Sequence, residues 1–212
     1  MRLRRVVDGD RRIVAVHHEQ SDSWVDLDAA AAVFDQSVRG PLTQDLIALL
    51  ASRERGRDLA LGLVDRAVAE QIAVATPSSA LPFDPVSLRC FLGWEEHWVQ
   101  AAHSIVRRNL PAAWPFIRAY ETVTRRTFPA LRPGPAFDDH PVYYTGNHRT
   151  IRPDCAELPW PAYTDLLDYE LEFGVVVDRP VYDATPAEAA DAIGGFVVFD
   201  DVSARDVQWE EQ

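Results

Sequence analysis

The chain has 212 residues, of which 47% are hydrophobic and 25% charged, proportions typical of a globular protein with a sizeable core. Its formal charge of −12 argues against nucleic acid as a partner, because phosphates require a basic surface. All 21 basic residues are arginine, so a lysine Schiff base or a lysine general base is excluded within these residues.

Membrane and secretion signals are not visible in this sequence. It has no apolar run of about 18 residues, and no signal-peptide core follows the basic N-terminus. Its two cysteines, Cys90 and Cys155, are too few for a disulfide framework in a chain of this length. We therefore expect a cytoplasmic protein that does not bind membranes.

The N-terminal part predicts short strands followed by helix. Residues 12–16 and 24–27 are β-rich runs separated by a polar turn. Residues 43–75 carry apolar positions near helical spacing. A segment rich in proline and serine, 76–82, breaks this pattern, so we predict a domain boundary after residue 80.

The remainder predicts helices first and strands afterwards. Helical patterns cover 86–109 and 114–127, and a short helix is expected at 187–192 behind Thr185 and Pro186. Strands are predicted at 142–144, 167–177 and 195–199. The chain ends soon after the apolar run 196–199, with nothing following to cover it, so we expect a core truncated at its C-terminal side.

Acidic residues recur at every second position in the strand over 167–177. Side chains alternate faces along a strand, so Asp168, Glu170 and Glu172 should share one face. The strand continues into 175–177, which predicts burial, and buried carboxylates without a partner are costly. A bound cation would resolve this conflict. The alternative is an edge strand whose acidic face is solvated.

A second acidic pair, Asp200 and Asp201, stands where the apolar run 195–199 ends and a loop should begin. Acids at the end of a buried strand are well placed as metal ligands. The alternative is a turn, in which aspartate forms local hydrogen bonds. The residue pattern leaves both interpretations open.

Together these segments resemble the signature of the fumarylacetoacetate hydrolase family. The resemblance rests on the acidic strand 168–172 and on the run 195–208, which contains Ser-Ala-Arg-Asp and a following glutamine. It implies that Glu170, Glu172 and Asp201 hold Mg²⁺, or Ca²⁺ or Mn²⁺, since hard cations take oxygen ligands. Asp200 replaces an asparagine that is usual in the family.

The resemblance also implies a fold and further site residues. The fold would be α+β: an incomplete mixed β-roll over 81–212, with a small N-terminal α/β region over 1–80. His97 matches the family's histidine base, and Tyr144 matches a substrate-binding position. One departure is Cys90, which stands where members closest to the hydrolase carry an additional aspartate ligand.

The implied function is metal-dependent hydrolysis of a carbon–carbon bond in a β-diketo acid or acylpyruvate-like substrate. Alternatives within the family are decarboxylation, isomerisation or hydration of α-keto acids. The family's lysine strand does not occur before the chain ends, which favours a non-catalytic remnant as a second alternative. An acidic β-rich binding domain without metal is a third. The implied partners are a small-molecule keto acid and a second copy in a homodimer.

Overall fold

The computed structural model describes residues 1–72, 74–76 and 80–210, which form helices and antiparallel sheets in irregular order. The strands are β1 Arg2–Asp8, β2 Arg11–His18, β3 Ser23–Asp26, β4 Leu88–Phe91, β5 Tyr143–Gly146, β6 Leu167–Asp168, β7 Leu171–Val177, β8 Ile193–Asp200 and β9 Ser203–Ala204. The helices are α1 Leu27–Phe34, α2 Pro41–Gln44, α3 Leu46–Ala51, α4 Arg53–Ala69, α5 Glu95–Asn109, α6 Trp114–Thr124, α7 Ala136–Asp139, α8 Pro186–Asp191 and α9 Arg205–Glu210.

The sheets are small. One has the order β1-β2-β3, and the other three pair β4 with β5, β6 with β9 and β7 with β8. This mixture of helices and sheets agrees with the predicted α+β class. None of these sheets closes into a barrel within the part of the chain that the structure describes, and the β-roll stays a prediction.

The main core lies between the N-terminal sheet and its helices. A two-residue turn joins β1 and β2, and Gly9 supplies the positive φ of 58° that such a turn requires. Val14 and Val16 of β2 pack with Leu27, Leu49 and further buried residues of α1, α3 and α4. The strands predicted over 12–16 and 24–27 are therefore present, with β1 added before them.

The helical pattern over 43–75 is divided rather than continuous. Asp45 ends α2 and caps α3, because its carboxylate accepts hydrogen bonds from the backbone N–H groups of Ile47 and Ala48. Arg53 has a φ of 55°, a left-handed conformation that separates α3 from α4. Apolar periodicity predicted the buried face, and capping by the Asp45 side chain decided where α3 begins.

The chain forms two compact units. One comprises Met1–Asp84 together with residues 152–210, and the other is Pro85–Ile151. The second unit has its own small core, in which α5, α6 and a 3₁₀ turn contribute Val106, Ile117 and Leu131. The division into domains 1–80 and 81–212 stays a prediction. The expected linker over 76–82 lies partly outside the described residues.

Three sequence-based expectations are wrong in detail. The strand expected over 167–177 is divided into β6, which pairs with β9, and β7, which pairs with β8. The helix expected over 86–109 begins only at Glu95, because Leu88–Phe91 forms β4 and pairs with β5. The loop expected after Asp201 contains β9 and α9. The short helix near 187 is confirmed as α8, where Thr185 and Glu188 form a reciprocal capping box. No helix in the described residues is both long enough and apolar enough to span a membrane.

Candidate metal centre

The predicted carboxylates meet on a two-stranded antiparallel ladder. β7 pairs with β8 in a register that places Leu171 opposite Asp200. One residue earlier, the backbone N–H of Glu170 donates to the carbonyl of Asp201 at 3.1 Å, and the reverse hydrogen bond measures 2.9 Å. Directly opposed residues point to the same face. Asp201 therefore shares the face of Glu170 and Glu172, whereas Asp200 belongs to the other face.

The acidic face is the more buried of the two. The Glu170 side chain is 20% exposed, whereas Leu171 and Phe173 on the opposite face are 76% and 72% exposed. Burial was expected for all of 175–177, but only Val176 is buried. Within β7 the two faces alternate as predicted: Glu172 is partly buried, whereas most of the apolar side chains point outward. Asp168 lies in β6 and its side chain is 46% exposed.

Glu172 and Asp201 are close enough to share an ion. A carboxylate oxygen of Glu172 lies within 4.8 Å of one of Asp201. Burial raises the pKa of Glu172 above its ordinary value of 4.5, and the negative charges of Asp201 and Glu170 raise this pKa further. A cation placed between these groups would relieve both the lost hydration and the repulsion.

Arg205 is the counter-charge of this face, a role that the sequence analysis did not assign. Its Nε donates to Asp168 Oδ2 at 2.9 Å, and its Nη1 donates to Glu170 Oε1. The hydrogen bond from Arg205 is the largest cause of the lowered pKa of Asp168. The sequence feature that could have indicated such a residue is the excess of acids on one face, which predicts a positively charged partner. The pairing of β6 with β9 is what brings Arg205 beside these acids.

The segment before β6 is tied to α9 by Asp206. Its carboxylate accepts hydrogen bonds from the Thr164 hydroxyl and, at 2.8 Å, from the Asp165 backbone N–H. These hydrogen bonds, led by that of Thr164, lower the pKa of Asp206. Asp206, the aspartate of the Ser-Ala-Arg-Asp run, therefore has a structural role: its hydrogen bonds keep the neighbouring Arg205 next to the acidic strand.

The donor set suits a hard divalent cation. Glu170, Glu172 and Asp201 offer only carboxylate oxygens, which Mg²⁺, Ca²⁺ and Mn²⁺ prefer. The raised pKa of Glu172 indicates negative charge that is not fully compensated. Glu170 gives one oxygen to Arg205 and is not part of the group of described ligand atoms within 4.8 Å of one another that includes Glu172 and Asp201, so it would join them only through its remaining lone pairs. These features fit a cation, and the assignment of all three residues as its ligands stays a prediction.

The other two predicted site residues lie in the unit Pro85–Ile151. His97 is the third residue of α5 and is exposed. Tyr144 is 53% exposed in β5, directly opposite Cys90 in β4. Cys90 is buried there. The roles of His97 as base and of Tyr144 in substrate binding stay predictions.

Parts of the chain match one protein family model and two known proteins. Residues 116–212 match the family model described as fumarylacetoacetate (FAA) hydrolase C-terminal. A 70-residue segment is 39% identical to "Oxaloacetate tautomerase FAHD1, mitochondrial" of Pongo abelii and 37% identical to the protein of that name of Homo sapiens. Each match covers 33% of this chain and 32% of the relative. The family match includes Tyr144 and the three carboxylates, and it begins after His97.

Proposed function

Because residues 116–212 belong to the fumarylacetoacetate hydrolase family, as the sequence motifs predicted, we propose that this chain is a divalent-metal-dependent enzyme that acts on a small keto acid. Glu170, Glu172 and Asp201 would hold the cation. The observation that carries the proposal is the pairing of Glu170 with Asp201, which puts all three carboxylates on one partly buried face.

Each residue of the candidate site would have a separate role. Glu172 and Asp201 would bind the cation most directly, since their oxygens already lie within 4.8 Å of each other. Arg205 would keep Glu170 oriented through its hydrogen bond. When bound, the cation would act as a Lewis acid toward carbonyl oxygens of the substrate. His97 would accept a proton from water, since a neutral imidazole is a competent base near pH 7. The Tyr144 hydroxyl would contact the substrate.

The leading reaction is hydrolysis of a carbon–carbon bond in a β-diketo acid or acylpyruvate-like substrate. Tautomerisation of a β-keto acid is the second candidate, and it is favoured by the two relatives, whose name is oxaloacetate tautomerase. Both reactions develop negative charge on a carbonyl oxygen, so the same carboxylate-held cation would serve either one. The β-roll architecture, the homodimer and a cytoplasmic location belong to the same proposal.

The test combines cation binding with turnover. Mg²⁺ and Mn²⁺ would be titrated calorimetrically into the wild type and into a Glu170→Ala, Glu172→Ala double variant. Acylpyruvate hydrolysis and oxaloacetate tautomerisation would be measured with Mg²⁺ and with EDTA. We expect binding and EDTA-sensitive turnover in the wild type alone. Turnover that EDTA does not affect would contradict the mechanism, and cation binding without turnover of either substrate would favour the non-catalytic alternative.

A further inference from the structure

The ladder between β7 and β8 contains one irregularity, at Gly194. The pairing proceeds one residue at a time on each strand as far as Val176, which lies opposite Gly195. The next residue, Val177, lies opposite Ile193, so Gly194 is passed over. Gly194 is therefore the extra residue of a β-bulge, which shifts the register of one strand by one position.

This bulge decides which aspartate reaches the acidic face. On its far side the backbone N–H of Asp178 donates to the carbonyl of Ala192 at 3.1 Å. If that register ran through to the acidic end without a bulge, Glu170 would lie opposite Asp200. With the bulge, Glu170 lies opposite Asp201. A one-residue shift turns every side chain of a strand to the other face, so the bulge selects which of the two aspartates joins Glu170.

The bulge requires glycine because of space rather than backbone conformation. Among the described glycines, only Gly9 and Gly40 have a positive φ. A Cβ on Gly194 would lie 2.7 Å from the Cβ of Asp178 and 2.8 Å from its Oδ2. Carbon atoms in contact prefer a separation of about 3.5–4.0 Å, so such a Cβ would displace Asp178 or the bulge itself. The Asp178 side chain therefore fits against the bulge only while residue 194 has no side chain.

Arg53, the first residue of α4, contacts both sides of the bulge. Its Nη1 donates to the carbonyl of Ile193 in β8 at 2.9 Å and lies 3.1 Å from Oδ2 of Asp178, which follows β7. The Asp178 side chain is fully buried and also accepts a hydrogen bond from Nε of Arg179 at 3.0 Å. A buried carboxylate is costly unless it is paired, so the position of Arg53 fixes that of Asp178.

We infer that Arg53, Asp178 and Gly194, which we call the bulge cluster, select Asp201 rather than Asp200 for the candidate metal centre. Arg53 is then a positioning residue, which acts through the pairing of β7 with β8 and not on cation or substrate. The inference rests on the proposed function only in naming a cation. The register itself is a property of the metal-free protein.

The first test asks whether the two aspartates exchange roles. Gly194→Ala should remove the bulge, so that residue 194 pairs with Val176 and Asp200 takes the place of Asp201. In the wild type, Asp201→Asn should weaken Mg²⁺ binding roughly tenfold or more, and Asp200→Asn less than about twofold. In the Gly194→Ala background we expect these effects to be exchanged. Isothermal titration calorimetry measures the affinities, and an unchanged dependence on Asp201 would overturn the inference.

Gly195→Ala is the matched control, because it adds the same methyl group one residue away. Apart from its neighbours in sequence, no atom of the described residues lies within 4 Å of a Cβ built on Gly195. The bulge should persist in this variant, and Asp201 should remain the residue on which Mg²⁺ binding depends. If Gly195→Ala exchanged the two aspartates as well, the contact of Gly194 with Asp178 would not be the cause.

A second measurement reads the register directly and needs no metal. In EDTA, NMR of the isotope-labelled wild type should show backbone cross-peaks between Phe173 and Val198, which lie opposite each other. In Gly194→Ala the partner of Phe173 should become Val197. If the wild type binds no Mg²⁺, the proposed function fails, but this comparison still decides whether the bulge cluster sets the register.

Arg53→Gln keeps the inference testable if Gly194→Ala does not fold. It removes the contacts with Ile193 and Asp178 without adding a clash, and we expect cross-peaks from both pairings of Phe173. Arg53→Lys keeps the charge but not the fixed geometry of the donors, so it should restore the wild-type pattern in part. A wild-type pattern alone in Arg53→Gln would show that Arg53 does not hold the register and would overturn its positioning role.

Discussion

Glu170 and Asp201 stand directly opposite each other and exchange both of their backbone hydrogen bonds, at 3.1 and 2.9 Å. This one pairing sets the face on which every neighbouring side chain lies. With it, Glu172 and Asp201 come within 4.8 Å, and Asp200 turns to the opposite side. The candidate cation site therefore depends on a register that involves residues about 30 positions apart in the chain.

Two adjacent aspartates offer a matched test of that register. Asp201→Asn should weaken Mg²⁺ binding at least tenfold, roughly the loss of one charged ligand from a hard-cation site. Asp200→Asn removes the same charge one residue away and on the exposed face, so we expect less than about a twofold change. Isothermal titration calorimetry measures both affinities. Equal losses in the two variants would show that net charge, and not position, governs binding.

Glu172→Gln should stabilise the metal-free protein. The pKa of Glu172 is raised by burial and by its acidic neighbours, so the folded state holds this proton more tightly than the unfolded state. Its contribution to stability is present below the ordinary value of 4.5 and is lost as the pH rises through the higher folded value. In EDTA at pH 7 we expect the variant to be more stable by about 0.5–1 kcal/mol in urea unfolding.

A glutamate with the opposite shift provides the control for Glu172→Gln. Glu188 caps α8, and its hydrogen bonds with Thr185 lower its pKa, so Glu188→Gln should lower stability at neutral pH. Added Mg²⁺ should raise the free energy of unfolding of the wild type. It should not raise that of Glu172→Gln. Parallel pH profiles for the wild type and Glu172→Gln would contradict the assignment of an uncompensated charge to Glu172.

Removal of Arg205 should cost stability mainly in the absence of metal. Arg205→Gln takes away the hydrogen bonds to Asp168 and Glu170 and leaves the acidic face without its counter-charge. We expect a loss of about 1–2 kcal/mol in EDTA, at the low end for a charged pair because Asp168 is 46% exposed. Saturating Mg²⁺ should reduce that loss, since the ion replaces the missing positive charge.

Urea unfolding with and without Mg²⁺ measures this difference, and Arg205→Lys is the matched control. Lysine keeps the charge but cannot present two fixed donors to two carboxylates, so it should recover part of the loss. A loss that is the same with and without Mg²⁺ would mean that Arg205 stabilises the fold independently of the candidate site.

The N-terminal core contains an aspartate that should govern acid stability. Asp28 is buried and accepts hydrogen bonds from Arg39 at 2.6 Å, Thr43 at 3.0 Å and Gln44 at 2.9 Å. The hydrogen bond from Arg39 is the largest cause of a pKa lowered from 3.8 to about 2. This stabilisation is complete above pH 3.8 and is lost as the pH falls toward 2, with a size of about 2 kcal/mol.

Asp28→Asn should therefore destabilise the protein by about 2–3 kcal/mol at pH 7 and flatten the acid end of its stability profile. Urea unfolding between pH 2.5 and pH 7 checks both effects. Asp58→Asn changes an exposed aspartate on α4 and should shift stability by less than about 0.5 kcal/mol. If Asp28→Asn and the wild type lose stability in parallel below pH 4, Asp28 does not carry this linkage.

Local patterns along the chain were sufficient for some of these features. Alternation has a period of two in any strand, so Glu170 and Glu172 had to share a face once their segment was extended. The capping residues of α8 likewise act within four positions of each other. The long ordered motif over 168–208 resembled the family that residues 116–212 match. None of these inferences requires contact between distant parts of the chain.

Other features depended on pairing between distant segments. From the residue pattern, Asp200 and Asp201 were equally good ligands. The resemblance favoured Asp201, and the ladder register agrees with that choice. The strand β4 was missed within a predicted helix, because a four-residue run becomes a strand only when β5 supplies its hydrogen bonds. The contact of Arg205 with Glu170 joins positions 35 residues apart.

By itself, then, the sequence determined which side chains alternate within a strand, where α8 begins and which family the motifs resemble. These properties follow from backbone geometry and from short-range hydrogen bonds. Only the tertiary structure decided which acids face each other and that the acidic face, rather than the apolar one, turns inward. It also decided that Arg205 offsets the negative charge of that acidic face. Register and burial arise from contacts between segments far apart in the chain, and no local period encodes them.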